Sequence, residues 1–155
     1  MIRDMVLDDV SFYNEIRNEC KDFLHDSSFY TIDESYNWFK TNKPRFFIYE
    51  INGEKIGYFR TSNWSNSGCY VGLDIHKKFR GKKLAFKAYQ DFFAFLKNKI
   101  GERNFYEFYL EVLSLNKVAI NLYNKLGFTE ISKKPFRKNN GLTYNIKMKL
   151  TLKNE

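Results

Sequence analysis

Two stretches of the chain carry residue types that could do chemistry. The first, HKKFRGKKLAFKAYQDFF (His76–Phe93), places Gly81 among Lys77, Lys78, Arg80, Lys82, Lys83 and Lys87 where an apolar helix begins. The first turn of a helix exposes unpaired N–H groups and the positive end of the helix dipole, which suits an anion. Glycine lets the backbone approach that anion closely. A solvated basic first turn would have the same composition, so this stretch alone does not choose between the two. The second stretch, LEVLSLNKVAINLYNKLGF (Leu110–Phe128), ends a strand with Glu111 pointing away from the face used by Leu110 and Val112. Asn116 is suited to cap the following helix, on which Ala119, Tyr123 and Leu126 recur at helical spacing. A carboxylate and a phenol facing one crevice would serve as general base and general acid. A surface ion pair for Glu111 and a core position for Tyr123 is the plain alternative.

Elements to position these residues can be read along the chain. Asp8 to Phe23 has apolar residues at helical spacing after an acidic start, and Asp33–Lys40 reads as a second helix capped by Asp33 or Thr31. RFFIYEI and KIGYFR form a hairpin about Asn52-Gly53, TSNWSNSG is the next turn, and CYVGLDI is a third strand. Leu84, Ala88, Phe92 and Leu96 mark a long amphipathic helix. FYEFYLEV is a strand, Lys117–Leu126 a helix closed by Gly127, and FTEI a strand. The last strand alternates Tyr144, Ile146, Met148 and Leu150, read as buried, with Thr143, Asn145, Lys147 and Lys149. The order βααβββαβαββ predicts a layered α/β domain, and with no repeat or linker residues 1–155 read as one domain.

Composition narrows the function classes. With 155 residues, 43% hydrophobic and 19% aromatic, the chain has material for one real core and is not a disordered sequence. A net charge of +8 implies an anionic partner: nucleic acid, a membrane surface or a phosphorylated small molecule. Nucleic acid is disfavoured because the cations concentrate at one helix start and the aromatics alternate as a core would. No stretch is apolar enough to span a membrane, and MIRDMVLDDVS carries acids where a signal peptide needs an apolar run, so a cytoplasmic location is expected. Cys20 and Cys69 show no metal or redox spacing; they read as free thiols, with no metal expected.

Taken together, the two stretches resemble the GCN5-related N-acetyltransferase superfamily. Its pyrophosphate loop has the pattern (Arg/Gln)-x-x-Gly-x-(Gly/Ala); here Arg80-Gly81-Lys82-Lys83-Leu84-Ala85 follows the strand YVGLDIH. The family's downstream Asn…Ala…Tyr…Gly-Phe corresponds to Asn116, Ala119, Tyr123 and Gly127-Phe128. The resemblance, close over about residues 70–130, implies a mixed, mostly antiparallel sheet with helices on both faces and an acetyl-CoA-dependent N-acetyltransferase. It implies cofactor contacts at Leu73, Ile75, Arg80, Gly81, Lys82, Lys83, Leu84, Ala85, Asn116, Ala119 and Tyr123. It also implies an oxyanion held by the backbone N–H of about Leu73 in a bulged strand, and Tyr123 as the acid that protonates the leaving thiolate. The family's usual base position falls near Gly68-Cys69-Tyr70, which holds no carboxylate; Glu111, twelve residues before Tyr123, is the expected base, with Asp74 or a water relay behind it. Lys83 departs from the motif's glycine. If that position needs a positive φ, the loop is distorted.

The acceptor is expected to be a small-molecule amine, bound by Phe29, Tyr30, Arg60 and Trp64. Their aromatic faces, hydroxyl and one cation suit a small or nucleotide-linked amino sugar, with a peptide N-terminus as the second reading. A non-catalytic acetyl-CoA-binding module is the contrasting class. The assembly is expected to be a monomer or homodimer.

Overall fold

The computed structural model describes residues 1–100, 107–139 and 141–152. Its elements are β1 (Ile2–Asp4), α1 (Val10–Cys20), α2 (Ile32–Asn42), β2 (Phe47–Ile51), β3 (Glu54–Ser62), β4 (Gly68–Ile75), α3 (Leu84–Ile100), β5 (Glu107–Leu113), α4 (Lys117–Leu126), β6 (Thr129–Lys138) and β7 (Gly141–Thr151). This is the predicted order. Local chemistry explains several boundaries. Thr31 and Glu34 form a reciprocal capping box at the start of α2, each side chain accepting from the other's N–H at 3.1 Å; such a cap stabilises by about 1 kcal/mol. Asn52 and Gly53 both take positive φ, as a two-residue hairpin turn demands. Gly127 ends α4 in the left-handed region.

Three predicted spans change. Residues 8–23 are not one helix: α1 is flanked by 3-10 turns at Leu7–Asp9 and Lys21–Phe23. The FTEI strand runs on through Pro135 to Lys138, because β6 is an edge strand and an edge tolerates a proline without an N–H. Tyr144 is exposed while Thr143 is buried, reversing the expected alternation there. The last β5 partner of β7 is Asn145, and beyond it the Tyr144 ring is met by the Lys133 ammonium at 4.6 Å and otherwise left partly open.

The strands form one seven-stranded sheet in the order β1-β2-β3-β4-β5-β7-β6. Every pair is antiparallel except β4/β5. On one face α3 and α4 pack over Phe47, Phe59, Phe108 and Val112, and Phe59 stacks on Phe92 with centroids 4.0 Å apart. On the other, α1 and α2 cover Ile48 and Tyr58. Burying one such aromatic ring stabilises by about 1.5–3 kcal/mol, so the two layers hold the sheet firmly on both faces. Among the described residues no helix is long and apolar enough to cross a membrane.

The β4/β5 pairing determines where a site can form. It covers only Gly68–Tyr70 against Glu107–Tyr109, after which the strands part. A Cβ on Gly68 would lie 1.6 Å from the Glu107 carbonyl oxygen, so only glycine allows the strands to touch at that point. Beyond it, Val71–Ile75 have no β5 partner and the sheet opens into a cleft.

Candidate active site

The cleft holds two adjoining cavities. The larger, about 840 Å³, is lined by Ile75, the loop residues Arg80, Gly81, Lys83, Leu84 and Ala85, and Val118, Asn121 and Leu122 of α4. The other, about 490 Å³, is walled by Cys20 and Phe23–His25, floored by Arg60, Leu73 and Asp74, and closed by Glu111, Asn116, Ala119 and Tyr123. Ile75, Arg80, Ala85, Val118 and Leu122 line both. The structure thus brings Glu111 and Tyr123 to one cavity and joins it to the basic loop. Asn116 caps α4 as expected, its side-chain oxygen accepting from the Ala119 N–H at 3.3 Å.

The loop answers the question raised by Lys83. Gly81 and Lys83 have φ of 73° and 58°, so the position does require the left-handed backbone and lysine adopts it at a cost. Turns with such residues point successive N–H groups to one side and make a concave anion seat, here at the start of α3. Those amides, with the exposed Lys82 and Lys83, fit the pyrophosphate of acetyl-CoA. Arg80 is turned elsewhere. Its Nε donates to the Ile75 carbonyl at 2.8 Å and its Nη2 lies 3.1 Å from the Cys20 sulfur, bracing the loop against β4 and α1.

Tyr123 is 9% exposed. Burial raises its phenol above the usual value, with the Tyr89 hydroxyl and the Arg60 charge pulling the other way, so it stays protonated through neutral pH. Glu111 is exposed on the sheet face, opposite Lys147 of β7. Asp74 is buried, and Arg60 meets it at 3.0 Å. Burial opposes the Arg60 charge, but Asp74 outweighs it and the net shift is upward. The guanidinium lies over Gly72, where a Cβ would stand 2.6 Å from Arg60 Nη2 and make it shift. The hydroxyls of Tyr58 and Tyr89 are also buried.

Four expectations need correction. β4 carries no bulge: its register with β3 is unbroken from Tyr70 to Ile75, and Gly57 lets the two strands lie flush, since a Cβ there would stand 2.4 Å from the Asp74 carbonyl oxygen. Leu73 therefore lines the cavity from a regular strand. Trp64 lines none of the cavities described. It packs against the main core, donates to Thr61 Oγ1 at 2.9 Å and lies under the Arg45 guanidinium, 3.7 Å from the ring centre. Phe29 is 67% exposed and also lies outside the cavities. Tyr30 belongs to a separate recess between α1 and α2, where its hydroxyl donates to Asp26. Of the four predicted acceptor residues, only Arg60 reaches the site.

Sequence reasoning missed Cys20 and the Arg60–Asp74 pairing, since these contacts span distant segments; His25, in the segment expected to wall the acceptor site, does line the cavity. It also missed the approach of Glu15, Glu19 and His76. Glu19 already lies 3.5 Å from both Lys77 and Arg80, so that trio is part of an ion-pair network.

The comparisons agree with this geometry. The Acetyltransferase (GNAT) family matches residues 10–128. The chain belongs to that family. Its members transfer acetyl groups from acetyl-CoA, and this chain is an N-acetyltransferase by family. Among solved structures, an N-acetyltransferase from Staphylococcus aureus Mu50 is 21% identical with a TM-score of 0.80, over 99% of this chain and 98% of that one. YncA, a putative acetyltransferase from Salmonella typhimurium solved with acetyl-CoA, is 20% identical with a TM-score of 0.76, covering 100% and 95%. Spermidine N-acetyltransferase from Vibrio cholerae, in complex with CoA and spermine, is 18% identical with a TM-score of 0.85, covering 97% and 94%. At these identities the likeness is one of fold. A comparison with curated protein sequences found no match.

Proposed function

We propose that this GNAT enzyme acetylates the primary amine of a small polar acceptor, a free or nucleotide-linked amino sugar, seated over Arg60, Asp74 and Glu111. One observation carries the reading: Tyr123, Glu111 and the Arg60–Asp74 pair line a single cavity that continues into the groove of the basic loop. In this reading the acceptor's neutral amine attacks the thioester carbonyl, forming the C–N bond. The Leu73 N–H stabilises the oxyanion, while the edge of β4 around Ile75 guides the pantetheine arm. As the C–S bond breaks, Tyr123 gives its proton to the departing thiolate. Before attack Glu111 takes one proton from the acceptor ammonium and passes it to solvent; the second, acidic once the C–N bond has formed, leaves by the same path, and solvent returns a proton to Tyr123. Asp74, held by Arg60 at 3.0 Å, stands behind it as the alternative base.

The charge balance supports an amino sugar over a polyamine. Glu19 lies by Lys77 and Arg80, Asp74 by Arg60, and Glu111 opposite Lys147. Among the described residues lining the cavity the acids are few and lie near cations, whereas these charges and the hydroxyls of Tyr89 and Tyr123 suit a hydroxyl-rich ring with one amine. The test is CoA thiol release with glucosamine, a nucleotide-linked amino sugar, spermidine and a tetrapeptide. Amino sugars should be preferred, and Arg60→Ala should raise their KM by about tenfold, the scale of one polar contact. Efficient transfer to spermidine or the peptide alone would refute the acceptor class.

A further inference from the structure

The outer wall of the acceptor cavity is tied to the far hairpin by contacts that no part of the chemistry requires. Phe23, Leu24 and His25 line the cavity from the segment after α1. Lys138, at the end of β6 and only 8% exposed, donates its ammonium protons to the carbonyls of Lys21 (3.1 Å) and Leu24. His25 Nε2 lies 2.7 Å from Asn145 Oδ1 on β7, and its ring meets Phe136 edge-on at 5.1 Å. From the other side Arg17 donates to the Asp26 and Ser28 carbonyls at 2.7 and 2.6 Å, so the segment is held from both flanks. Asn145 stands opposite Leu113 of β5, just beyond Glu111. The bridge therefore crosses the open flank of the sheet beside the proposed acid and base.

We propose that this Lys138–His25–Asn145 clasp is a specificity device, closing the acceptor side so that small amines enter and extended polypeptides do not. The inference rests on the acceptor cavity proposed above. A peptide acceptor continues beyond its reactive N-terminus and needs an open groove for its next residues. A small amine needs only the cavity, whose 490 Å³ lies within the range of small-molecule sites. A buried lysine is costly unless its protons are used, and here two go to carbonyls of the wall itself. Burial lowers the Lys138 amine from its usual value, which makes those acceptors more necessary. Excluding a wrong partner by closure is a common route to specificity.

The experiment compares kcat and KM for glucosamine and for a hexapeptide with a free N-terminus in wild type, Lys138→Met, Lys138→Arg and Asn145→Ala. Lys138→Met should raise the peptide's kcat/KM by about tenfold or more, mainly through KM, the scale on which single contacts discriminate substrates. Its kcat for glucosamine and its acetyl-CoA-induced thermal shift should stay at wild-type values. Lys138→Arg, which can still reach both carbonyls, should behave as wild type, and Asn145→Ala should show the same trend as Lys138→Met more weakly. An unchanged ratio in both Lys138→Met and Asn145→Ala, with cofactor binding intact, overturns the proposal. If Lys138→Met fails to fold, Asn145→Ala alone decides by the same ratio. If wild type binds acetyl-CoA but acetylates neither probe, the acceptor reading fails. The clasp is then judged by amide exchange at Lys21–His25, where faster exchange in Asn145→Ala supports it and unchanged exchange overturns it.

Discussion

Lys83 offers a test in which two neighbouring substitutions should act with opposite sign. Its φ of 58° puts a Cβ-bearing residue in the left-handed region, at a cost of about 1–2 kcal/mol. Lys83→Gly removes that cost and adds about 0.4–1 kcal/mol of chain entropy lost on folding, for a net stabilisation of roughly 0.5–1 kcal/mol. Lys82 is exposed and not among the residues with positive φ. Lys82→Gly therefore bears only the entropy and should destabilise by about 0.5–1 kcal/mol. Each variant loses one lysine from the same loop, so the charge change largely cancels in the comparison. The two should differ by about 1–2 kcal/mol, or roughly 3–6 °C in Tm for a chain of this size. Thermal unfolding without ligand, followed by circular dichroism, reads this directly. Equal shifts in one direction would refute the argument, since loop charge and not backbone conformation would then set the stability. With acetyl-CoA added, the ligand-induced shift should shrink in both, because both lose a cation beside the anion seat.

The remaining expectations concern the chemistry. Tyr123→Phe should preserve acetyl-CoA-induced stabilisation and lower kcat by about 10²-fold, the usual scale for loss of a general acid. Because burial raises the wild-type phenol, the activity that needs it protonated should persist up to its ordinary value near 10 and fall only above it in the pH–rate profile. Glu111→Gln should lower kcat/KM most at acidic pH, where the acceptor is an ammonium; a profile superimposable on wild type would move the base to Asp74 or a water chain. Ala85→Asp should abolish the thermal shift with acetyl-CoA, by placing a carboxylate where both cavities meet; an unchanged shift in the folded variant would remove the loop from the cofactor site.

Much of the site's first half is local, and local chemistry can be read from a sequence. The basic loop lies within a few residues of the helix it opens. Asn116 and Gly127 bound α4 by capping rules that need no other segment. Glu111 and Tyr123 sit on one strand–helix unit, so their meeting at a single cavity follows from their spacing. The order of elements was legible for the same reason: apolar periodicity reports which face each segment buries.

The other half depends on pairings between distant segments. Whether Lys83 must take positive φ is decided by how β4 hands the chain to α3. The cleft exists because β4 and β5 part after Tyr70, a consequence of one close contact at Gly68 with a strand some forty residues later. Arg60 meets Asp74 in the cavity because the β3–β4 register sets it opposite Gly72, where no side chain crowds the guanidinium. Trp64, only four residues on, passes the end of the β3–β4 pairing and turns into the core under Arg45. Its residue type suits an acceptor site as well as a core, and only the register separates the two. Lys138 looks like another surface cation in a basic chain until β6 carries it beneath the carbonyls of Lys21 and Leu24. The sequence by itself thus determined the family, the loop and the candidate acid and base. Tertiary structure alone decided which side chains enclose the acceptor, because that enclosure is made of long-range contacts whose partners carry no mark in their own neighbourhood.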